Sequence, residues 1–393
     1  MTMAADKQDK VLNVPTLRFP EFTREWVRNT IINVAPLQRG FDLPTQDIEN
    51  GEYPVVYSNG ILRTHKYYKC KAPGLVTGRS GSIGNFTYIP EGYYWPHNTS
   101  LWVTNFHNND PLFIYYLYHT INISQYATGS GVPTLNRNDV HRHEVSIPLT
   151  PEQHKIAVFL SLIDKRIATQ IRIIDKLKSL MQGLNNELMD NPKWAKVYVG
   201  DFMEFFSTNS LSWEQLSYDN GQVRDLHYGL IHSGLPTMVD CQQISLPYIQ
   251  DGYLPKQYTI CKDGDVAFAD ASEDTAEVGK AVELTNVNNQ EIICGLHTIH
   301  GRDVKNITLG GFKGFAFNSK YFHDQLRRIA QGSKVYSINT DNVKSCYLYI
   351  PPIEKQQKIV GLLSCLQDKI EISEQELHAY EIQKQFLLKG LFI

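Results

Sequence analysis

The feature that most restricts this chain is that part of it occurs twice. Thr128-Gly129-Ser130-Gly131-Val132-Pro133-Thr134-Leu135-Asn136 returns 203 positions later as Gln331-Gly332-Ser333-Lys334-Val335-Tyr336-Ser337-Ile338-Asn339, and the match continues without a gap. Val140 falls on Val343, Ile147-Pro148 on Ile350-Pro351, Gln153 on Gln356, Lys155-Ile156 on Lys358-Ile359, Leu160-Ser161 on Leu363-Ser364, and Ile167 on Ile370. Self-similarity held in one register over this length means one unit used twice. The unit is a variable domain, a Gly-Ser turn, a short strand ending at proline, and a helix.

In the first copy Pro148 and Pro151 break any preceding helix, and Asn191-Pro192 ends the one that follows. Between them Leu160, Ile163, Ile167, Gln170, Ile174, Leu177, Met181, Leu184 and Leu188 alternate by three and four, the spacing of a coiled-coil seam. The second copy repeats the seam at Leu363, Leu366, Ile370, Ser373, Leu377, Tyr380, Lys384, Leu387 and Leu391. Gln170 and Ser373 are polar near each midpoint. In an antiparallel pair they share a layer and fix register; otherwise they are unrelated polar residues leaning to the surface. Gln182-Gly183-Leu184 aligns with Lys389-Gly390-Leu391 at an offset of 207, which predicts a second helix about one turn longer.

Residues 17–150 and 192–350 are rich in Tyr, Gly, Asn and Pro. Their short β-like runs include Tyr53 to Tyr57, Gly74 to Thr77, Leu101 to Thr104, Asp265 to Phe268 and Ala281 to Leu284. A helical stretch precedes each Gly-Ser turn, from Pro111 to His119 and from Ser319 to Ala330, and Trp26 and Trp194 open the two globules alike. The expected class is α+β: a tail (1–16), a β-rich mixed globule (17–150), a helix (151–191), a second globule (192–350) and a second helix (351–393). The heptad seams predict that the helices form a coiled coil, and the whole carries an internal repeat. The polar N-terminus and the lack of a long apolar run predict a soluble cytoplasmic protein without membrane contact. The six cysteines form no Cys-x-x-Cys pair and read as reduced, mostly buried thiols.

A formal charge of −3 gives no overall basic field, so nucleic acid has to be met by local patches. Arg39, Arg63, His65, Lys66, Lys69, Lys71 and Arg79, interleaved with Tyr57, Tyr67 and Tyr68, form either a phosphate-binding face or a solvated polar one. The loop from Gly78 to Gly84, carrying Arg79, Ser80 and Ser82, either approaches DNA closely or is a tight structural turn. Ser58-Asn59-Gly60 suits a type I′ hairpin on Asn-Gly or a DNA-facing turn. His97-Asn98-Thr99 and a counterpart at His297-Thr298 are contact candidates or satisfied structural residues, and Lys334 and Arg137 are candidate phosphate contacts. Catalytic patterns are missing: Asn191-Pro192-Lys193-Trp194 lacks the second proline of a base-flipping methyltransferase loop, and no phosphate loop, zinc-protease or nucleophile-elbow pattern occurs. Asp263, Asp265 and Asp270 could mimic a nuclease cluster, but no partner lysine falls at a persuasive spacing.

The duplicated Gly-Ser, Ile-Pro and Gln-x-Lys-Ile wording occurs with Tyr53-Pro54-Val55-Val56-Tyr57-Ser58-Asn59-Gly60, Gly78-Arg79-Ser80-Gly81-Ser82-Ile83-Gly84, Trp95-Pro96-His97-Asn98-Thr99 and Asp263-Gly264-Asp265-Val266-Ala267-Phe268-Ala269-Asp270-Ala271-Ser272. Across nearly the whole chain this resembles the DNA-specificity subunit of type I restriction–modification systems. The resemblance implies a non-catalytic protein with two target recognition domains, each reading half of a bipartite site on double-stranded DNA. It implies that the two helices form an antiparallel coiled coil with pseudo-two-fold symmetry that separates the domains and docks two modification (methyltransferase) subunits, and through them restriction subunits. It implies no cofactor on this chain, S-adenosylmethionine belonging to the methyltransferase. Two residues depart from the pattern. Lys355 breaks a Glu-Gln pair kept as Glu152-Gln153, and Asp270 stands where the family favours arginine. An acid there repels phosphate and leaves base-edge contact, such as accepting from cytosine N4, as its use, with Ser272 beside it. The competing readings are a coiled-coil scaffold that binds only proteins and a DNA-modifying enzyme with unrecognised motifs.

Overall fold

Prolines set where each long helix begins. Pro148 and Pro351 end the preceding strands, having no N–H to continue a ladder, and Pro151 occupies the first helical turn, where an N–H has no intrahelical acceptor anyway. In the computed structural model, which describes residues 12–129, 131–274, 277–332 and 334–393, the helices are Thr150–Met189, of 40 residues, and Ile353–Leu391, of 39. Ser130 and Ser333 of the repeated turn lie outside the described residues, as does most of the tail. The second helix is therefore not longer. The Gly-Leu pairs behind that expectation are not equivalent: a Cβ on Gly390 would meet the Leu17 side chain at 2.5 Å, whereas Gly183 faces open space.

Every seam position of both helices is buried or half-buried, Gln170 and Ser373 among the buried ones. Contacts divide the chain into two units, one reaching to Ile171 and including Gln375–Ile393, the other Arg172–Glu374. The division cuts through both helices rather than at the globule edges, because each unit's core takes in parts of both. The first core gathers Ile156 and Leu160 with Leu391 and Phe392; the second gathers Met189 with Ile359 and Leu363. In the first unit Lys384 meets Asp164 at 2.6 Å, Arg166 lies over the Tyr380 ring at 5.1 Å, and Gln170 Nε2 donates to Glu376 at 3.0 Å. Numbers rise along one helix as they fall along the other, so these segments run antiparallel. In the second unit Lys178 pairs with Glu374 at 2.7 Å.

Both globules are built on one plan. Trp26 and Trp194 precede strands Val27–Thr30 and Ala195–Tyr198, which pair antiparallel with the strands leading into the long helices, Val27 opposite Ile147 and Ala195 opposite Ile350. The first globule then has two four-stranded sheets, ordered Leu37–Arg39, Ser100–Val103, Gly74–Gly78, Phe86–Ile89, and Gly60–His65, Tyr53–Tyr57, Tyr93–Pro96, Cys70–Lys71. The second has a five-stranded sheet, Met203–Phe206, Thr298–Asp303, Val266–Ala269, Ala281–Thr285, Met238–Asp240, and a four-stranded one, Leu216–Ser217, Tyr248–Ile249, Val223–Leu226, Glu291–Cys294. The helices Pro111–Thr120 and Lys320–Ile329 start where a side chain caps them, Asp110 and Ser319 respectively. No helix among the described residues is long and apolar enough to cross a membrane.

The repeated glutamine has a specific task. Gln153 is 1% exposed; its Oε1 accepts from the Asp110 N–H at 2.9 Å, and its Nε2 donates to the Pro148 carbonyl at 2.9 Å and to Asn109 Oδ1 at 2.8 Å. Gln356, 0% exposed, does the same with the Leu309 N–H at 2.7 Å and the Pro351 and Ile307 carbonyls at 2.9 Å. Each glutamine thus ties a helix start to the loop before a helix of its globule. The Glu152/Lys355 departure is explained too. Glu152 is buried against Arg18, at 2.8 Å from both Nε and Nη2, and accepts from the Trp26 indole at 3.2 Å, while Lys355 is exposed. Gln356→Leu is expected to destabilise the second unit by about 3 kcal/mol, since a buried N–H and two carbonyls lose their partner. The exposed Gln357→Leu should change stability by less than about 0.5 kcal/mol. Urea unfolding of the two variants checks this.

Candidate nucleic-acid interface

In the first globule the candidates cluster where Tyr53–Tyr57, Gly74–Gly78 and Tyr93–Pro96 end and Ser100–Val103 begins. The Tyr57 and His97 rings lie 4.3 Å apart. A Cβ on Gly78 would come within 2.4 Å of the Ser82 carbonyl and 3.0 Å of the Ser58 carbonyl, so only glycine lets these two turns meet. The Arg79 N–H donates to the Thr99 carbonyl at 3.0 Å and its carbonyl accepts from Leu135 at 2.7 Å, while Ser80 bridges Thr134. Arg39 reaches Asp42 at 3.0 Å, and Asn98 hydrogen-bonds the same carboxylate. Arg39, Arg79 and Arg137 line a cleft of about 490 Å³ with Thr128, Thr134 and Asn136. No ion-pair partner of Arg79 or Arg137 occurs among the described residues.

The hairpin turn differs from the expected one. Gly60 has φ of 108°, but Ser58 and Asn59 are not at positive φ, so the turn is centred on Ser58-Asn59 with Gly60 opposite Tyr57, not on an Asn-Gly type I′ pair. The wider basic face also dissolves. Lys66 sits past the far end of this hairpin in an exposed pair with Glu49 at 3.1 Å, and Arg63 is exposed in mid-strand opposite Val55. His65 is buried with its Nδ1 against the Glu49 backbone, and Lys69 lies over the Trp95 ring at 4.9 Å. Strand alternation and the buried His65 keep these side chains from forming one surface.

The second globule builds the same place from other residues. The Asp270 N–H donates to the His297 carbonyl at 3.0 Å and its carbonyl accepts from Ile338 at 2.8 Å, the bonds Arg79 makes with Thr99 and Leu135. Asp270 therefore occupies the position of Arg79. Ser100 Oγ and Thr298 Oγ1 both donate to the carbonyl three residues earlier, of His97 and Gly295. The counterpart of His97 is thus Gly295, and His297 matches Thr99; the pairing of His97 with His297 was two residues out of step. Thr298 is buried and turned inward, which removes it as a contact. Asp270 Oδ1 and His297 Nδ1 are 3.0 Å apart, His297 being held at φ 53°. His297 lines a cleft of about 620 Å³ with Tyr228, His232, Ser272, Glu273, Glu277 and Lys280, among others, and Lys334 is exposed beside its lining residue Val335. Tyr228 and His232 escaped the sequence reading. Tyr228, two residues past the end of Val223–Leu226, donates its N–H to the Leu296 carbonyl and holds the place of Ser58 in the first globule, which only pairing geometry reveals.

Residues 23–179 and 285–381 match the model of the type I restriction modification DNA specificity domain. The chain belongs to the type I DNA-specificity family. As a member it is similar to a Methanocaldococcus jannaschii protein named as the specificity subunit of type I restriction enzyme MjaX, with 21% identity over 325 residues, 79% of this chain and 74% of that protein. In fold, the specificity-family chain resembles the S subunit of the M. genitalium type I system, with a TM-score of 0.62, 16% identity, and 97% and 99% of the two chains covered. It also resembles a chain from structures of the assembly and conformational transition of a type I system, with a TM-score of 0.57, 14% identity and coverages of 92% and 96%. The two globules of this DNA-specificity subunit are its target recognition domains.

Histidines brace the first domain. His97 Nε2 donates to the Leu43 carbonyl at 3.3 Å and Nδ1 accepts from the Thr99 N–H at 3.3 Å; His141 Nε2 accepts from the Leu37 N–H at 2.9 Å. Burial holds both pKa values below the usual histidine range. The unfolded chain therefore takes up protons first, and the stability these histidines confer is lost as pH falls below about 6.5. The thermal midpoint of the first domain should drop between pH 7.5 and 5.5, and His141→Gln should lessen the drop.

Proposed function

We propose that each target recognition domain reads one half of a bipartite site on double-stranded DNA, and that the two helices set the spacing and dock two modification subunits, through which restriction subunits join. The observation that carries this is the duplicated backbone arrangement, in which Arg79 and Asp270 make the same hydrogen bonds with opposite charge. In the first domain it sets Arg79 in a cleft with Arg39 and Arg137, and in the second it sets Asp270 against His297, which lines a cleft with Ser272 and Tyr228. An arginine suits guanine O6/N7 or phosphate, whereas a carboxylate suits the amino group of cytosine. Two unlike readers on one plan suit an asymmetric target better than a scaffold that binds only proteins. Catalysis and S-adenosylmethionine fall to the modification subunits in this reading. Helices of this length extend about 60 Å, longer than one DNA turn of about 34 Å. Outside the seam, Val158, Leu162, Leu180, Leu362, Ile372, Ile382 and Phe386 stay exposed, an apolar surface suited to partner subunits. Exposed basic residues on the first helix could join such a surface: Lys165 and Lys176 stand open, and Lys155, Arg166 and Lys178 engage Glu21, Tyr380 and Glu374.

Exchanging residues 17–150 for another recognition domain is expected to change one half of the methylated sequence; a change in both halves defeats the proposal. Removing one turn from a single helix should shift the spacer by about two base pairs, from ~6 Å of helix against 3.4 Å per step. In the assembled methyltransferase, Arg79→Ala should cost about 1–3 kcal/mol of discrimination at one base pair. Arg137→Ala should instead weaken all sequences alike and lower the salt slope by about 1. Methylome sequencing and salt-dependent gel shifts measure these.

A further inference from the structure

The core of the second domain holds a side-chain group that DNA reading leaves unexplained. Cys261 and Cys294 place their sulfurs 3.7 Å apart, and a ring nitrogen of His300 lies within 4.8 Å of both; all three residues are buried. His300 Nε2 is fixed by Asp265 Oδ2 at 2.7 Å, and Asp265 is gripped by Arg302 through Nε at 2.7 Å and Nη2 at 2.6 Å. That leaves His300 Nδ1, on a side chain 1% exposed, buried without a hydrogen-bond partner. Asp225, 0% exposed, has the same defect: Oδ2 accepts from Asn209 at 2.6 Å, while Oδ1 is buried without a partner and would lie 2.1 Å from a Cβ on Gly295, next to Cys294.

We propose that Cys261, Cys294 and His300 bind a zinc-class divalent cation, near the buried Asp225 carboxylate. A tetrahedral site with Zn–S bonds of about 2.3 Å sets its sulfurs about 3.8 Å apart, close to the spacing found. The carboxylate on the far nitrogen of His300 is the arrangement that fixes a metal-binding imidazole. Two thiolates balance the charge of the cation, and the orphaned His300 Nδ1 gains a partner. The first domain shows the alternative filling of this position. His300 faces Ala267 as Trp102 faces Val76, Cys294 pairs with Leu226 as Pro96 does with Val56, and Asp225 pairs with Ile293 as Val55 does with Trp95. One copy packs this region with Trp102, Pro96 and Val55; the other puts three metal-donor side chains there. Such a site would stabilise the second domain rather than take part in chemistry.

The test is zinc content of the full chain, purified without chelator and again after denaturation, refolding and dialysis against zinc alone. About one equivalent per chain is expected, falling below about 0.2 in Cys294→Ser and His300→Gln but not in Cys241→Ser, another buried thiol. Cobalt substitution should give a thiolate-to-metal absorption band that Cys294→Ser removes. Asp265→Asn, which leaves all three proposed ligands in place, should weaken zinc binding about 10- to 100-fold with the cobalt band retained. Wild-type chain holding less than about 0.1 equivalent after both treatments, with no cobalt band, overturns the proposal. So does a folded Cys294→Ser variant, judged by circular dichroism, that keeps its zinc. None of these readouts involves DNA, so DNA reading can fail while the metal site stands.

Discussion

A buried glutamine at the head of each long helix is the interaction on which the arrangement rests. A helix pair is useful for positioning a domain only if the domain cannot swivel on it, and a single proline-flanked connection would permit swivelling. Gln153 and Gln356 prevent it by satisfying a backbone N–H on the globule and the carbonyl at the strand end with one side chain. Removing such a side chain exposes several polar groups to an apolar interior at once, so the joint is strong where it is intact. Glu152 with Arg18 and Trp26 reinforces the first joint; the second does without, which is why a lysine is tolerated at position 355.

With the joints fixed, variation is free to collect elsewhere. Arg79 and Asp270 make the same backbone hydrogen bonds, so their side chains start from the same place with opposite charge. The frame asks only that a backbone N–H and carbonyl be present there. Ser100 and Thr298 keep the frame in both domains, each donating three residues back, and in the first domain the glycine at 78 lets two turns touch.

The same division explains how far the sequence could be read. The helices, their seams and the duplicated strand-proline-glutamine segment were legible because periodicity and proline chemistry are local. The runs at Tyr53, Gly74, Val266 and Ala281 were legible as strands for the same reason. The pairing of the two clefts was not. Parallel contacts such as Val55 with Trp95 and Asp225 with Ile293 join segments far apart in the chain, and the side chains there share no identity. That is why His97 was set against His297 when its partner is Gly295. Lys66 failed as a candidate because being basic and close in sequence says nothing about which end of a hairpin a residue occupies.

Charge bears on how such a protein meets DNA. With a net −3 over the chain, long-range attraction is weak, and counterion release has to come from a few local arginines or from partner subunits. The first cleft can supply some through Arg79 and Arg137. In the second, the Glu277 carboxylate is paired with Lys280 at 2.9 Å and Asp270 faces His297, so its acids meet local bases. A reader of this kind contributes little affinity by itself and much discrimination once a partner holds the duplex. The sparing use of charge thus leaves sequence specificity, rather than bulk attraction, as what this chain brings to DNA.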